Sequence, residues 1–192
     1  MLAKRLDDGA LMEELEEIFL TEGYRDVTLR DLARRLGCSY RRIYAMAPSK
    51  EGLFVLVMNN FFARLKKEGW RRASANRPLV ERIGEYLRVG VEYAHRVSIA
   101  CSEDIDGLEA GRIIFDAHQE ERIAGLKEML DEGTKSGQFH GYHSQLVAEV
   151  MILAAKRLRE PSFLAKSGLT FSQALEELSR LLRFGLTSKG PK

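Results

Sequence analysis

Apolar side chains recur along most of the chain at intervals of three and four residues, the period of a helix face. Leu11, Leu15, Ile18 and Phe19 form the first stripe, while Glu13, Glu14, Glu16 and Glu17 occupy the rest of the cylinder. Gly23 stands where a helix end favours positive φ. Thr28 is the next N-cap, and Asp31 three residues later completes a capping box. Leu29, Leu32, Ala33 and Leu36 make a second, short stripe that Gly37 ends. Ser39 then caps a third helix, which should turn Ile43, Tyr44 and Ala47 inward and stop before Pro48, because proline disfavours α geometry in the residue preceding it. Ser49 caps a long fourth helix whose stripe, Leu53, Phe54, Val57, Phe61 and Leu65, persists to about Arg72.

A break at Ser74 to Pro78 separates these elements from the rest of the chain, since Pro78 suits the first turn of a new helix. Leu79, Ile83, Tyr86, Leu87 and Val91 predict a helix running to about Ser98. The acidic, glycine-interrupted stretch from Ser102 to Gly111 predicts a short helix with loops, and Ile113 to Lys135 a long one. From Gln145 to Leu158 the pattern is apolar on two faces. Leu146, Val150, Leu153 and Ala154 are expected to pack inward, and Val147, Met151 and Leu158 to face another partner. Ser172 to Leu186 closes the series with Leu175, Leu178, Leu181 and Leu182. No segment alternates with the period of a strand. The predicted fold is all-α: an N-terminal three-helix helix-turn-helix head, residues 1–50, joined by a long helix to a C-terminal helical bundle, residues 51–192, with about nine helices in all.

Charge sharpens this picture only when it is located. The chain as a whole is nearly balanced, with 30 basic and 28 acidic side chains. Between residues 25 and 50, however, seven basic residues face only Asp26 and Asp31, whereas from residue 73 onward acids and bases nearly cancel. A positive field confined to a helix-turn-helix head is what attraction to a phosphate backbone requires. Sequence is read by side chains on a helix narrow enough for the major groove, and Tyr40, Arg41 and Arg42 open such a helix.

The run GYRDVTLRDLARRLGCSYRRIYAMAPSKEGL resembles the DNA-binding head of the tetracycline-repressor (TetR) family of bacterial regulators. Gly23, Tyr24, Thr28, Leu32, Ala33, Gly37, Ser39, Ile43, Tyr44, Ser49 and Lys50 fill that family's characteristic spacing over roughly residues 9 to 55. Cys38 and Ala47 replace a usual Val and Phe, and Arg41 and Arg42 replace a pair that is often small or polar. The resemblance implies a DNA-binding regulator, a repressor released from its operator by a small-molecule effector. It implies DNA contacts from Thr28, Arg30, Ser39, Tyr40, Arg41, Arg42, Tyr44 and Lys50, with Tyr44 and Lys50 on phosphates. It also implies a homodimer on a palindromic operator, its last two long helices joined through Val147, Met151, Leu158, Leu178 and Leu182. Tyr86, Tyr93, Phe115 and His118 lie on the helices that line the family's effector cavity, and their aromatic character suits a largely apolar ligand.

Other classes are weakly represented. No nucleophile, base and orienting group stand together, so no catalytic role and no cofactor is expected. His140 and His143 are the only histidine cluster, and Gly141 between them makes a loop, not a metal site, the expectation. Cys38 and Cys101 are too few for a disulfide framework and fit a reducing cytoplasm. The N-terminal residues lack the apolar core of a secretion signal, and no apolar run is long enough to span a bilayer. A rival of another kind remains: a helical small-molecule carrier or protein-interaction module whose head does not bind DNA.

Overall fold

The protein, as a computed structural model, is described over residues 6–139 and 143–187. Among these residues there are ten helices and no strand: α1 Asp8–Glu22, α2 Leu29–Arg35, α3 Tyr40–Met46, α4 Lys50–Arg72, α5 Leu79–Ala94, α6 Ile99–Gly107, α7 Glu109–Lys135, α8 Ser144–Arg159, α9 Pro161–Ser167 and α10 Phe171–Thr187. Side-chain caps start most of them, among them the expected Thr28, Ser39 and Ser49. Asp7 accepts from the amide of Ala10 at 2.8 Å, Ser49 from Gly52 at 3.0 Å, and Ser98 from Cys101 at 3.1 Å.

Two compact units emerge, neither continuous in sequence. The first comprises Met1–Arg64 and Arg96–Asp116, the second Leu65–His95 and Ala117–Lys192. The expected boundary at residue 50 therefore differs from the division by packing: the start of α4, all of α6 and the start of α7 belong with the head. Within the first unit, Leu11, Leu15 and Phe19 of α1, Leu32 of α2, Ile43 of α3 and Leu53, Phe54 and Val57 of α4 are fully buried. Phe54 anchors this core, with Phe19 edge-on at 5.5 Å between centroids and Tyr24 at 4.8 Å. In the second unit, Ile83, Tyr86 and Leu87 of α5, Leu126, Met129 and Leu130 of α7, and Ala148 and Met151 of α8 form one apolar cluster. α10 packs on α5 and on α8.

α3 ends at Met46, before Pro48 as expected, and Ala47 is extended and turned inward. Several other expectations are corrected. Tyr44 faces outward, because only one side of so short a helix meets the core and Ile43 takes it. α7 begins at Glu109, since one glycine within a helix costs only about 1 kcal/mol. The tenth helix, α9, has no buried residue, so no apolar period announces it; Pro161 at its start and the left-handed Gly168 at its end are its only marks. The two faces of α8 are exchanged: Met151 and Ala148 are buried, whereas Leu146, Val150 and Leu153 are each more than half exposed. His143 caps α8 through its side chain, and His140 lies outside the described residues.

Candidate nucleic-acid interface

With Ile43 fully buried, α3 necessarily turns Tyr40, Arg41 and Tyr44 to solvent. Tyr40 and Tyr44 are 44% and 48% exposed, large for aromatic residues in a packed head. They stand one helical turn apart, their rings 5.8 Å between centroids. The Arg30 guanidinium, from the first turn of α2, lies 5.9 Å above the Tyr40 ring. Arg30, Tyr40 and Tyr44 thus form one exposed strip drawn from two helices, with Arg41 beside Tyr40 in the chain. Among the described residues neither Arg30 nor Arg41 has a carboxylate within 4 Å, whereas Arg34 pairs with Asp31 and Arg35 with Glu22. The strip consequently keeps its positive charge for an external anion.

Thr28 and Ser39 hold the frame of this strip. The Ser39 hydroxyl accepts from the amide of Arg42 at 3.2 Å. Thr28 accepts from the amide of Asp31 at 3.1 Å and donates its hydroxyl to the Asp31 carboxylate at 2.6 Å. That second bond replaces the backbone half of the expected capping box and holds the Asp31 carboxyl below its usual range, Arg34 adding to the effect.

Two expected DNA ligands are occupied internally. Arg42 is 17% exposed and bonds Asp8 at the start of α1 at 2.6 Å, with its second terminal nitrogen buried and without a hydrogen bond. Lys50 donates to the carbonyl of Arg25 at 2.6 Å, and its ammonium lies 5.6 Å from the centre of the Tyr24 ring.

The turn that carries these groups is clasped by a residue that sequence patterning does not single out. Asp104 on α6, 2% exposed, accepts the amide of Tyr24 with one carboxylate oxygen and pairs with Arg25 Nε at 3.0 Å with the other. Gly23 makes room for it. Its φ of 75° and ψ of −171° lie in a region essentially closed to residues with a side chain, and a Cβ there would collide with the Asp104 carboxylate. The Ser98 amide adds a bond to the carbonyl of Leu20 at 2.8 Å, tying α1 to the start of α6. Glu16 is a second buried carboxylate, on α1, bound by Arg64 of α4 and by Arg96 at 3.4 Å. Burial pushes the Glu16 carboxyl up, against the pull of both arginines. Asp104 lies in an acidic stretch where nothing distinguishes it, and Glu16 sits among glutamates that read as a solvated face.

The second unit holds three of the four expected effector ligands. Tyr86 is buried, donates to the carbonyl of Arg122 at 3.0 Å and stacks edge-on with Trp70 at 5.5 Å. His118 is buried, and burial, with the charges of Arg122 and then Lys66, pushes its imidazole down to about 3. Tyr93 is half-buried. Phe115 belongs to the first unit, where it meets Phe62 edge-on at 5.8 Å. A small cavity of about 30 Å3 opens among α5, α7, α8 and α10, room for roughly two waters, and none of these four residues lines it. Of the expected subunit-interface residues, Val147, Met151, Leu178 and Leu182 pack on the unit's own cluster and Leu158 is half-buried: on α8 the two faces are exchanged, and on α10 Leu178 and Leu182 turn toward that cluster. The exposed apolar residues are instead Leu146, Val150 and Leu153 on α8 with Leu181 and Phe184 on α10.

Residues 11–57 match the profile of bacterial regulatory proteins of the tetR family. Over 193 residues the chain is 23% identical to YvaF, an HTH-type transcriptional regulator of Bacillus subtilis strain 168, covering 94% of this chain and 96% of that protein. Its fold is similar to that of a transcriptional regulator from Cytophaga hutchinsonii, with TM-score 0.75, 12% identity and coverage of 93% and 97% of the two chains. It is also similar in fold to FadR from Bacillus subtilis in complex with stearoyl-CoA, with TM-score 0.67, 15% identity and coverage of 91% and 97%.

Proposed function

The chain belongs to the tetR family of bacterial regulatory proteins and is a transcriptional regulator; from that premise we propose that it represses genes as a homodimer bound to a palindromic operator and lets go when a small molecule enters its body. The observation that carries this reading is the exposed strip of Arg30, Tyr40 and Tyr44 with Arg41 alongside, cationic, without carboxylate partners among the described residues, and borne on a helix of groove-entering size. Arg41 reads a base edge, Tyr44 and Lys50 contact phosphates, and Thr28, Arg30, Ser39 and Tyr40 line the same groove wall. Arg42 joins them by exchanging Asp8 for a phosphate. Asp8 is 96% exposed, so it can swing into water and leave Arg42 to the phosphate.

The homodimer is supported by the exposed apolar residues of two packed helices, Leu146, Val150 and Leu153 on α8 and Leu181 and Phe184 on α10. Exposed apolar rows on two packed helices are the kind of surface that marks an interface. A two-fold pair also supplies the spacing of about 34–36 Å at which two recognition helices enter successive turns of one DNA face. Residues 1–50 serve as the DNA-binding domain and 51–192 as linker helix, effector site and dimer surface. No helix among the described residues is long and apolar enough to cross a membrane, and the protein acts in the cytoplasm, where its operator is. The effector is a small, mostly apolar molecule, which must enlarge the cavity it enters.

Selection of bound fragments from random duplex DNA tests the reading. The expected product is a palindrome whose half-sites lie one helical turn apart. Failure to retard any duplex at low ionic strength overturns it.

A further inference from the structure

The cavity of the second unit is lined almost wholly by apolar side chains, among them Leu87 and Val91 of α5, Met151 of α8 and Leu175 of α10. Arg122 of α7 is the only ionisable residue in that lining. Its guanidinium lies flat against α5 at Gly90: a Cβ built there would stand 2.6 Å from Arg122 Cζ. Gly90 is buried, and any larger residue would push the guanidinium out, so the two helices are fitted to each other around a charge. Arg122 makes no ion pair or hydrogen bond through its side chain to the described residues, although Arg72, Arg82 and Arg96 in the chain all find glutamates. Burial pulls its pKa down from the usual value, with Tyr86 the single opposing influence. Gln119, buried one turn earlier on the same helix, and Ser179 of α10 complete the polar part of the lining.

Arg122 is half-buried, and a guanidinium on an apolar cavity wall with no carboxylate partner among the described residues is open to an anion that enters there. Guanidinium geometry favours a planar, bidentate acceptor, and an adjacent amide and hydroxyl extend that preference to a carboxylate. As it stands the cavity admits little more than such a head group, but Met151 is a flexible side chain that yields readily to an apolar body. We infer that the effector is an amphiphilic carboxylate, its anionic group bidentate on Arg122 between Gly90 and Gln119 and its apolar part displacing Met151. This rests on the effector-released regulator described above and narrows its ligand from merely apolar to anionic at one end.

The test titrates the full-length protein with linear carboxylates from butyrate to decanoate and with benzoate, each beside the alcohol and the amine of the same skeleton. Binding is read by calorimetry and by thermal shift. At least one carboxylate is expected to bind about ten- to a hundredfold more tightly than its alcohol, with no binding of the amine. Arg122→Met should abolish that preference while leaving the alcohol's affinity unchanged, and Gly90→Ala should reduce it by displacing the guanidinium. Arg122→Lys should restore part of it, which guards against simple misfolding of the methionine variant. Equal affinity for acid and alcohol, unchanged carboxylate binding by Arg122→Met, or no binding of any probe overturns the inference. Retardation of the selected operator duplex is measured in parallel. Operator binding that persists while the carboxylate preference fails sinks the ligand class alone; loss of operator binding by the unmodified protein sinks the regulator reading instead.

Discussion

Asp104 of α6 accepts the backbone amide of Tyr24, eighty positions away in the chain, while its second oxygen holds Arg25. The buried carboxylate fixes the turn between α1 and α2, whose next residues orient Thr28 and Arg30. Asp104→Ala leaves that amide without an acceptor and should cost about 1–3 kcal/mol of unfolding free energy. Asp104→Asn keeps an oxygen for the amide and loses only the charge, so its cost should be smaller. Denaturant midpoints of the two variants give the order; an equal loss in both would mean that the ion pair, not the amide bond, sets the turn.

Arg41→Ala and Lys50→Ala should separate base reading from phosphate contact. The first is expected to relax preference at one base position by about 1–3 kcal/mol. The second should weaken all duplexes alike and lower the salt slope by about one. Measuring affinities for a set of single-base operator variants at several salt concentrations checks both, and identical profiles for the two variants would refute the division of roles.

His118 makes stability depend on pH. Its imidazole is held at about 3 in the folded chain, against a usual value near 6.5, so the unfolded chain takes up a proton first as pH falls. The contribution is fully present above about 6.5 and drains away between there and about 3. Lowering the pH from 7 to 5 should cost the protein about 2 kcal/mol relative to His118→Leu. Chemical unfolding of both proteins at the two pH values measures this, and parallel behaviour would place the histidine in water.

Leu153→Glu combined with Phe184→Glu puts charge on the exposed apolar rows of α8 and α10, at two positions outside the buried cluster. Sedimentation should then report a monomer with unchanged helix content and greatly weakened operator binding. A double variant that stays dimeric would mean that some other surface joins the subunits.

Most of the helices are legible in the sequence because their apolar period is long and their caps are standard side chains; Thr28, Ser39 and Ser49 each start a helix where expected. The elements that differ share a cause. α9 buries nothing, and α8 carries leucines and valines on two faces, so periodicity cannot tell which face its own unit covers. The tip of the head is readable as residue types, but its arrangement is not. No pattern indicates that Arg42 turns toward Asp8 while Arg41 stays free, since both are arginines on a seven-residue helix. Asp104 and Arg122 escape notice for the same physical reason: each gets its meaning from distant backbone, at Tyr24 and at Gly90.

Gly23 is closed to other residues on two separate grounds, its dihedral angles and the carboxylate of Asp104. Trimming Asp104 would relieve the collision and leave the backbone constraint intact, so no single compensating exchange opens the position. Relatives that keep this clasp should therefore vary freely at the tip of the head while glycine at this corner persists, and drift that alters which operator is read can proceed without disturbing the joint that aims it.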